Sequence, residues 1–141
     1  MKTIEFISHS EKETLTFTKT FVKTLKIPAL IAFYGNLGAG KTVLTRGICK
    51  NLGFKGIVNS PTYTIVHEYP NNPPIFHLDL YRLENGSDLE DIGFSRILEE
   101  NAVTLIEWAE RLENQNNLTH LIFIEILSET ERKIKIRYLK E

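Results

Sequence analysis

Ala29-Leu30-Ile31-Ala32-Phe33-Tyr34-Gly35-Asn36-Leu37-Gly38-Ala39-Gly40-Lys41-Thr42 is the stretch on which the fold turns. Its first six residues are a continuous apolar run of strand length, as expected for a strand buried on both faces of a parallel sheet. From Gly35 to Thr42 the chain matches G-x-x-x-x-G-K-[ST], the Walker A pattern, at every fixed position. Glycines in such a loop let the backbone curl, so that successive N–H groups point inward at phosphate oxygens. A helix expected from about Lys41 to Leu52, stopped by Gly53, aims its first amides at the same anion. Lys41 then reaches the β- and γ-phosphates as a point charge, and the Thr42 hydroxyl is a ligand for Mg²⁺. A buried strand before the loop and an amphipathic helix after it separate this match from a chance glycine turn.

Working outward, Ile4 to Ile7 reads as a short strand, and Ser10 opens a helix with Glu13 completing a capping box. Phe17, Phe21 and Leu25 recur at every fourth position and give that helix an apolar stripe. Tyr63 to Tyr69 and Ile75 to Leu80 read as strands separated by the turn Pro70-Asn71-Asn72-Pro73-Pro74. Asn85-Gly86 is a turn before one or two short helices within Ser87 to Asn101. Val103 to Trp108 is a further strand. Leu121 to Leu127, the turn Ser128-Glu129-Thr130-Glu131, and Lys133 to Leu139 form a terminal hairpin. Its second arm alternates Ile134, Ile136 and Tyr138 with Lys133, Lys135 and Arg137. Helices interleaved with buried strands predict an α/β fold, a P-loop NTPase three-layer sandwich with a mostly parallel central sheet and antiparallel additions.

Hydrolysis needs metal control and a positioned water in addition to a phosphate loop. Phe76-His77-Leu78-Asp79 ends an apolar run in a carboxylate, as a Walker B strand does, which makes Asp79 a candidate magnesium ligand beside Thr42. Val103-Thr104-Leu105-Ile106-Glu107-Trp108 is a second apolar strand ending in an acid. Ligands of doubly wound sheets sit at the carboxyl ends of the strands, so Glu107 is a candidate for the metal or the attacking water. Trp108, the single tryptophan, has two readings: stacking at the nucleotide or partner surface, and ordinary packing. Ser60-Pro61-Thr62 lies where switch-type loops sense a γ-phosphate, with a plain turn as the alternative for Thr62. His77 is given no role.

The 141 residues form one expected domain, 1–141, of which 42% are hydrophobic and 25% charged, ordinary values for a globular protein. A formal net charge of -1 argues against a dedicated nucleic-acid binder. The lone Cys49 excludes an internal disulfide and reads as a core residue of the helix after the loop. The N-terminal MKTIEFISHSEKE has no apolar secretory core, and the longest apolar stretch, Ile27 to Tyr34, contains Pro28 and is too short to span a bilayer. A cytoplasmic protein without membrane contact is expected.

GNLGAGKT, SPTYTIVHEY, HLDLYRL and LIEW, in this order and spacing, closely resemble the TsaE (YjeE) family of bacterial ATPases over nearly the whole chain. The resemblance implies an ATPase that uses ATP and Mg²⁺ and works with two partner proteins, TsaD and TsaB. Together they build threonylcarbamoyladenosine next to the anticodon of tRNA, which this chain meets indirectly through the complex. ATP hydrolysis is implied to reset TsaD–TsaB between turnovers rather than to perform the transfer. Carried over by position, Leu37, Gly38, Ala39, Gly40, Lys41 and Thr42 bind the phosphates, and Thr42, Asp79 and Glu107 serve the metal. Lys41, Asp79 and Glu107 form the catalytic set. Thr62 resembles a switch-like threonine, and Trp108 resembles the tryptophan that follows the second acid. Glu11 and Arg132 resemble positions near the base and sugar. The family usually has Asp where this chain has Asn36 and a second threonine where it has Val43, which leaves Thr42 available for the metal.

A small GTPase is excluded by the lack of N-K-x-D and of a glycine after Asp79-Leu80-Tyr81. A small-molecule kinase shares the loop and size, but the six arginines are scattered and no lid-like run lies between Asp79 and Glu107. A nucleotide-gated interaction module remains a reading from a different class.

Overall fold

The computed structural model describes residues 2–36, 39–58, 66–81, 89–90, 92–112 and 114–140. Leu37, Gly38, the Ser60-Pro61-Thr62 segment, Tyr63 to Ile65 and the Asn85-Gly86 turn lie outside them. Seven strands form one sheet: β1 (Lys2–Ser8), β2 (Ala29–Tyr34), β3 (Val66–Tyr69), β4 (Ile75–Asp79), β5 (Val103–Glu107), β6 (His120–Ile126) and β7 (Arg132–Tyr138). Their spatial order is β1-β7-β6-β2-β5-β4-β3. The four central strands β6, β2, β5 and β4 run parallel, and antiparallel β7, β1 and β3 extend both flanks.

β2 is flanked on both sides by parallel neighbours, and Ala29 to Phe33 are all buried, which is why its sequence is apolar without alternation. Helices α1 (Glu11–Val22) and α2 (Lys41–Asn51) cover one face, where Phe21, Leu44 and Ile48 pack on Ile31, Phe33, Leu105 and Ile122. The other face holds Leu30, Ala32, Leu78 and Ile106 under Phe94 and Ile97 of α3 (Phe94–Leu98). Each fully buried Leu, Ile or Phe of these two clusters contributes about 1.5–3 kcal/mol through apolar burial. Cys49 sits inside the first cluster, and burial pushes its thiol up to about 12.

Three local expectations change in detail. α1 stops at Val22 because Thr24 and Leu25 tighten into i→i−3 bonds to Phe21 and Val22, so Leu25 packs on the core from beyond the helix. Ser10 caps Glu13 N–H as expected, but the Glu13 carboxylate accepts from the backbone and ring of His9 instead of Ser10. β5 ends at Glu107, one residue before Trp108, and β4 ends at Asp79, although Leu80 N–H still donates to the Glu107 carbonyl. Among the described residues no helix is long and apolar enough to cross a membrane.

α1 and α2 approach closely at Gly47, where an added Cβ would strike Thr18 Oγ1 and lie 3.1 Å from Leu15 Cδ2. The same Thr18 hydroxyl donates to the Leu15 carbonyl at 2.6 Å and accepts from Asn51 at 3.0 Å, so it is not free to swing away. Gly47→Ala is expected to destabilise the protein by about 1–3 kcal/mol in urea unfolding, and Thr18→Ala added to it to return part of that loss. Equal stability of the parent and Gly47→Ala would show that the two helices do not meet there.

Candidate functional site

Parallel pairing of β4 with β5 is in register, so Asp79 lies directly beside Glu107 at the carboxyl ends of the two strands. Phe33, near the end of β2, is the other neighbour of Glu107, which puts the start of the phosphate loop beside both acids. Asp79 shares a face of β4 with Ile75, and Glu107 shares a face of β5 with Leu105, on the side covered by α2. A cavity of about 590 Å³ opens there. Its walls bring together Ala39, Gly40, Lys41, Thr42, Asp79, Glu107, Trp108, Glu11 and Arg132. Of the predicted site residues, Leu37, Gly38 and Thr62 fall outside the described residues.

α2 begins without a side-chain cap. Its N-cap, Gly40, has φ 106°, a left-handed conformation that favours glycine, and leaves the first N–H groups of the helix without a side-chain acceptor. An open helix N-terminus of this kind attracts an anion through its amides and its dipole. The Lys41 ammonium lies 5.8 Å from the Trp108 ring centre. Trp108 is itself at φ 61°, packs at 4.9 Å against Tyr81, and keeps 37% of its surface exposed.

Glu107 is held from behind. His77 Nε2 lies 2.8 Å from Glu107 Oε2, both side chains being buried. Sequence reasoning gave His77 no role, and no signal short of the strand register could have supplied one. Asp79 accepts the Tyr81 N–H at 3.0 Å. Burial raises the Asp79 carboxyl above its ordinary range, the neighbouring Glu107 charge adds to this, and the Tyr81 amide, His77 and Lys41 oppose it.

The opposite end of the cavity is built from two segments distant in sequence. Pairing of Ser8 with Arg132 brings the start of α1 against the β6–β7 turn. His9 bridges them, with Nδ1 at 3.0 Å from Glu13 and Nε2 at 3.4 Å from Glu131, and these carboxylates raise its basicity. Arg132 donates from Nε to the Ala39 carbonyl at 3.1 Å and from Nη1 to the Ser128 carbonyl at 2.7 Å. The guanidinium thus fastens the turn to the phosphate loop.

Among the described residues no group of three or more His, Cys, Asp or Glu side chains could hold a metal ion alone. One hydroxyl and two carboxylates, Thr42, Asp79 and Glu107, are hard oxygen donors on the same cavity. That set fits Mg²⁺ shared with phosphates, since this ion is commonly held by one or two carboxylates plus its substrate's oxygens. The elevated Asp79 carboxyl beside Glu107 fits a site that a cation would relieve.

Sheet, loop and uncapped helix together define a P-loop α/β protein. The sequence model of the family described as threonylcarbamoyl adenosine biosynthesis protein TsaE matches residues 8–136. The chain belongs to the TsaE family. It is 37% identical over 136 residues to the tRNA threonylcarbamoyladenosine biosynthesis protein TsaE of Bacillus subtilis, covering 95% of this chain and 85% of the relative. The Haemophilus influenzae protein of the same name is 41% identical over 103 residues, 69% of this chain and 65% of its own length. The crystal structure of Bacillus subtilis YdiB superposes with a TM-score of 0.79 at 28% identity, covering 99% of this chain and 87% of that one.

An acid whose pKa is raised by folding binds its proton more readily in the folded state, so folding gains stability as pH falls through the elevated value and is penalised above it. Asp79→Asn keeps the acceptor for Tyr81 and removes the charge. It is expected to raise the ligand-free melting temperature at neutral pH by on the order of 2 °C, the half-exposed setting keeping the effect small. Thermal scans from mildly acidic to neutral pH check this, and a lower melting temperature for the variant at neutral pH would contradict it.

Proposed function

We propose that this chain is an ATP hydrolase serving threonylcarbamoyladenosine modification of tRNA in the cytoplasm, acting with TsaD and TsaB. The observation that carries the reading is the side-by-side pair Asp79 and Glu107 facing the uncapped start of α2 across one cavity. Membership in the TsaE family supports the pathway, and the family resemblance of the four motifs supplies the two partners and the adenine nucleotide.

The α2 amides and the Lys41 ammonium hold the β- and γ-phosphate oxygens. The Thr42 hydroxyl and the Asp79 carboxylate hold Mg²⁺, which supplies neutralisation of the phosphate charge when bound. Glu107 shares that ion or aligns the attacking water. The water oxygen bonds to the γ-phosphorus, the bond from that phosphorus to the β,γ-bridging oxygen breaks, and ADP departs with the electron pair. The water's proton ends on the phosphate products. Arg132 and Glu11 border the end of the cavity where base and sugar would lie. The free energy of the cleavage resets the TsaD–TsaB complex between rounds of modification, and tRNA is met through that complex.

ATP turnover by the purified chain is expected to be slow alone and strongly stimulated by TsaD–TsaB. Lys41→Ala is expected to weaken ATP–Mg²⁺ binding by about 10- to 100-fold in calorimetry, as loss of a charged hydrogen-bonding partner does, and to bring turnover to background. Undiminished binding by Lys41→Ala would overturn the nucleotide site, and indifference to the partners would overturn the pathway role.

A further inference from the structure

Behind the cavity a line of polar side chains crosses three strands, and two of its members, Tyr69 and His77, are used by no step above. Tyr69 on β3, His77 on β4 and Glu107 on β5 are 6%, 2% and 8% exposed. The Tyr69 hydroxyl lies 3.3 Å from His77 Nδ1, and His77 Nε2 lies 2.8 Å from Glu107 Oε2. An ionised carboxylate only accepts, so the ring donates from Nε2, and in the neutral ring Nδ1 accepts from the tyrosine hydroxyl. Both nitrogens of the buried ring are then satisfied. Tyr69 is in turn packed at 4.9 Å on Phe54, which fixes the edge-strand end of the line.

Stability alone does not account for this arrangement. A buried polar pair is often no more stabilising than apolar side chains of the same volume, and the neighbouring positions Ile75, Val103 and Leu105 on the same face of these strands are aliphatic. What the pair does supply is orientation. A glutamate at a strand end has several open rotamers, and a bond to Oε2 from a buried ring with a partner at each nitrogen selects one of them while Glu107 still lines the cavity.

We propose that His77 is the positioning residue of the site: its Nε2–H, with the ring locked by Tyr69, fixes Glu107 in the orientation it needs beside Asp79. The inference rests on the reading of Glu107 given above. Partners of this kind, which orient a group at a metal or phosphate centre, typically change affinity or activity 10- to 100-fold when removed.

His77→Gln places an amide N–H close to the position of Nε2, His77→Asn is too short to do so, and His77→Phe has no donor. ATP turnover with TsaD–TsaB, ATP–Mg²⁺ calorimetry, and ¹⁵N NMR of the imidazole in the nucleotide-free protein are measured for each available form, alongside Glu107→Gln. His77→Phe and His77→Asn are expected to lower kcat by about 10- to 100-fold with KM and Kd within about threefold, and His77→Gln to recover most of the rate. The wild-type ring is expected to show the Nε2–H tautomer, and its resonances to move in Glu107→Gln. If Glu107→Gln is impaired while His77→Phe turns over normally, the proposal falls and the reading of Glu107 stands. If Glu107→Gln turns over normally, that underlying reading fails. Equal losses in kcat and binding would make His77 a structural residue and overturn the proposal. Should His77→Phe not fold, equal rates for His77→Gln and His77→Asn, or an Nδ1–H tautomer in the wild type, would overturn it as well.

Discussion

Two carboxylates set side by side in a half-dry pocket repel each other, and the in-register pairing of β4 with β5 imposes that repulsion here. Asp79 cannot retreat, because its strand is pinned by Glu107 on one side and its carboxylate is engaged by the Tyr81 amide. Glu107 cannot retreat either, because β5 lies between β2 and β4. The surroundings offset the cost: Lys41 and the open amides of α2 line the same cavity, and the His77 ring supplies a hydrogen bond to Glu107. A fold selected for stability alone would set one neutral residue at either strand end. This one instead sets two carboxylates side by side at the strand ends.

The antiparallel flanks shape the far half of the cavity. Ser8 pairs with Arg132, and α1 starts three residues after Ser8, so the first turn of that helix faces the β6–β7 turn. Arg132 then uses its guanidinium on the carbonyls of Ala39 and Ser128, tying the hairpin to the phosphate loop. The His9 bridge between Glu13 and Glu131 closes the same seam at the surface, where screening keeps its contribution small. The terminal hairpin is therefore a wall of the cavity as well as an extension of the sheet.

What could be read from the sequence was local. The apolar run Ala29–Tyr34 and the start of α2 at Lys41 follow from short-range rules, and the structure has them at those residues. Asp79 and Glu107 were visible as acids at the ends of apolar runs. Their adjacency depends on strand order, which no short window contains. The same holds for β1 joining β7 and for Arg132 reaching Ala39, a contact across 93 residues. His77 was unreadable for a further reason: a histidine in an apolar strand looks alike whether its ring meets another strand's carboxylate or only packs. The small departures at the two ends of α1 arise where one local partner displaces another, as His9 does for Glu13 four residues on and as the i→i−3 bonds of Thr24 and Leu25 do.

Trp108 bears on why β5 ends where it does. A bulky residue at φ 61° costs about 1–2 kcal/mol, and strain of this kind persists only where neighbouring contacts over-determine it. The contacts are present: the ring packs on Tyr81, the Lys41 ammonium lies near its face, and the Trp108 carbonyl accepts from Arg111 N–H to start the short 3₁₀ turn Ala109–Arg111. The reversal ends the strand at Glu107, so the carboxylate stands at the rim of the sheet. Glu107 is thus constrained along the strand by Trp108, across the sheet by Phe33 and Asp79, and at its own oxygen by His77. A carboxylate held on three sides loses little entropy when a ligand arrives, and that economy is the physical case for treating His77 and Trp108 as parts of the site.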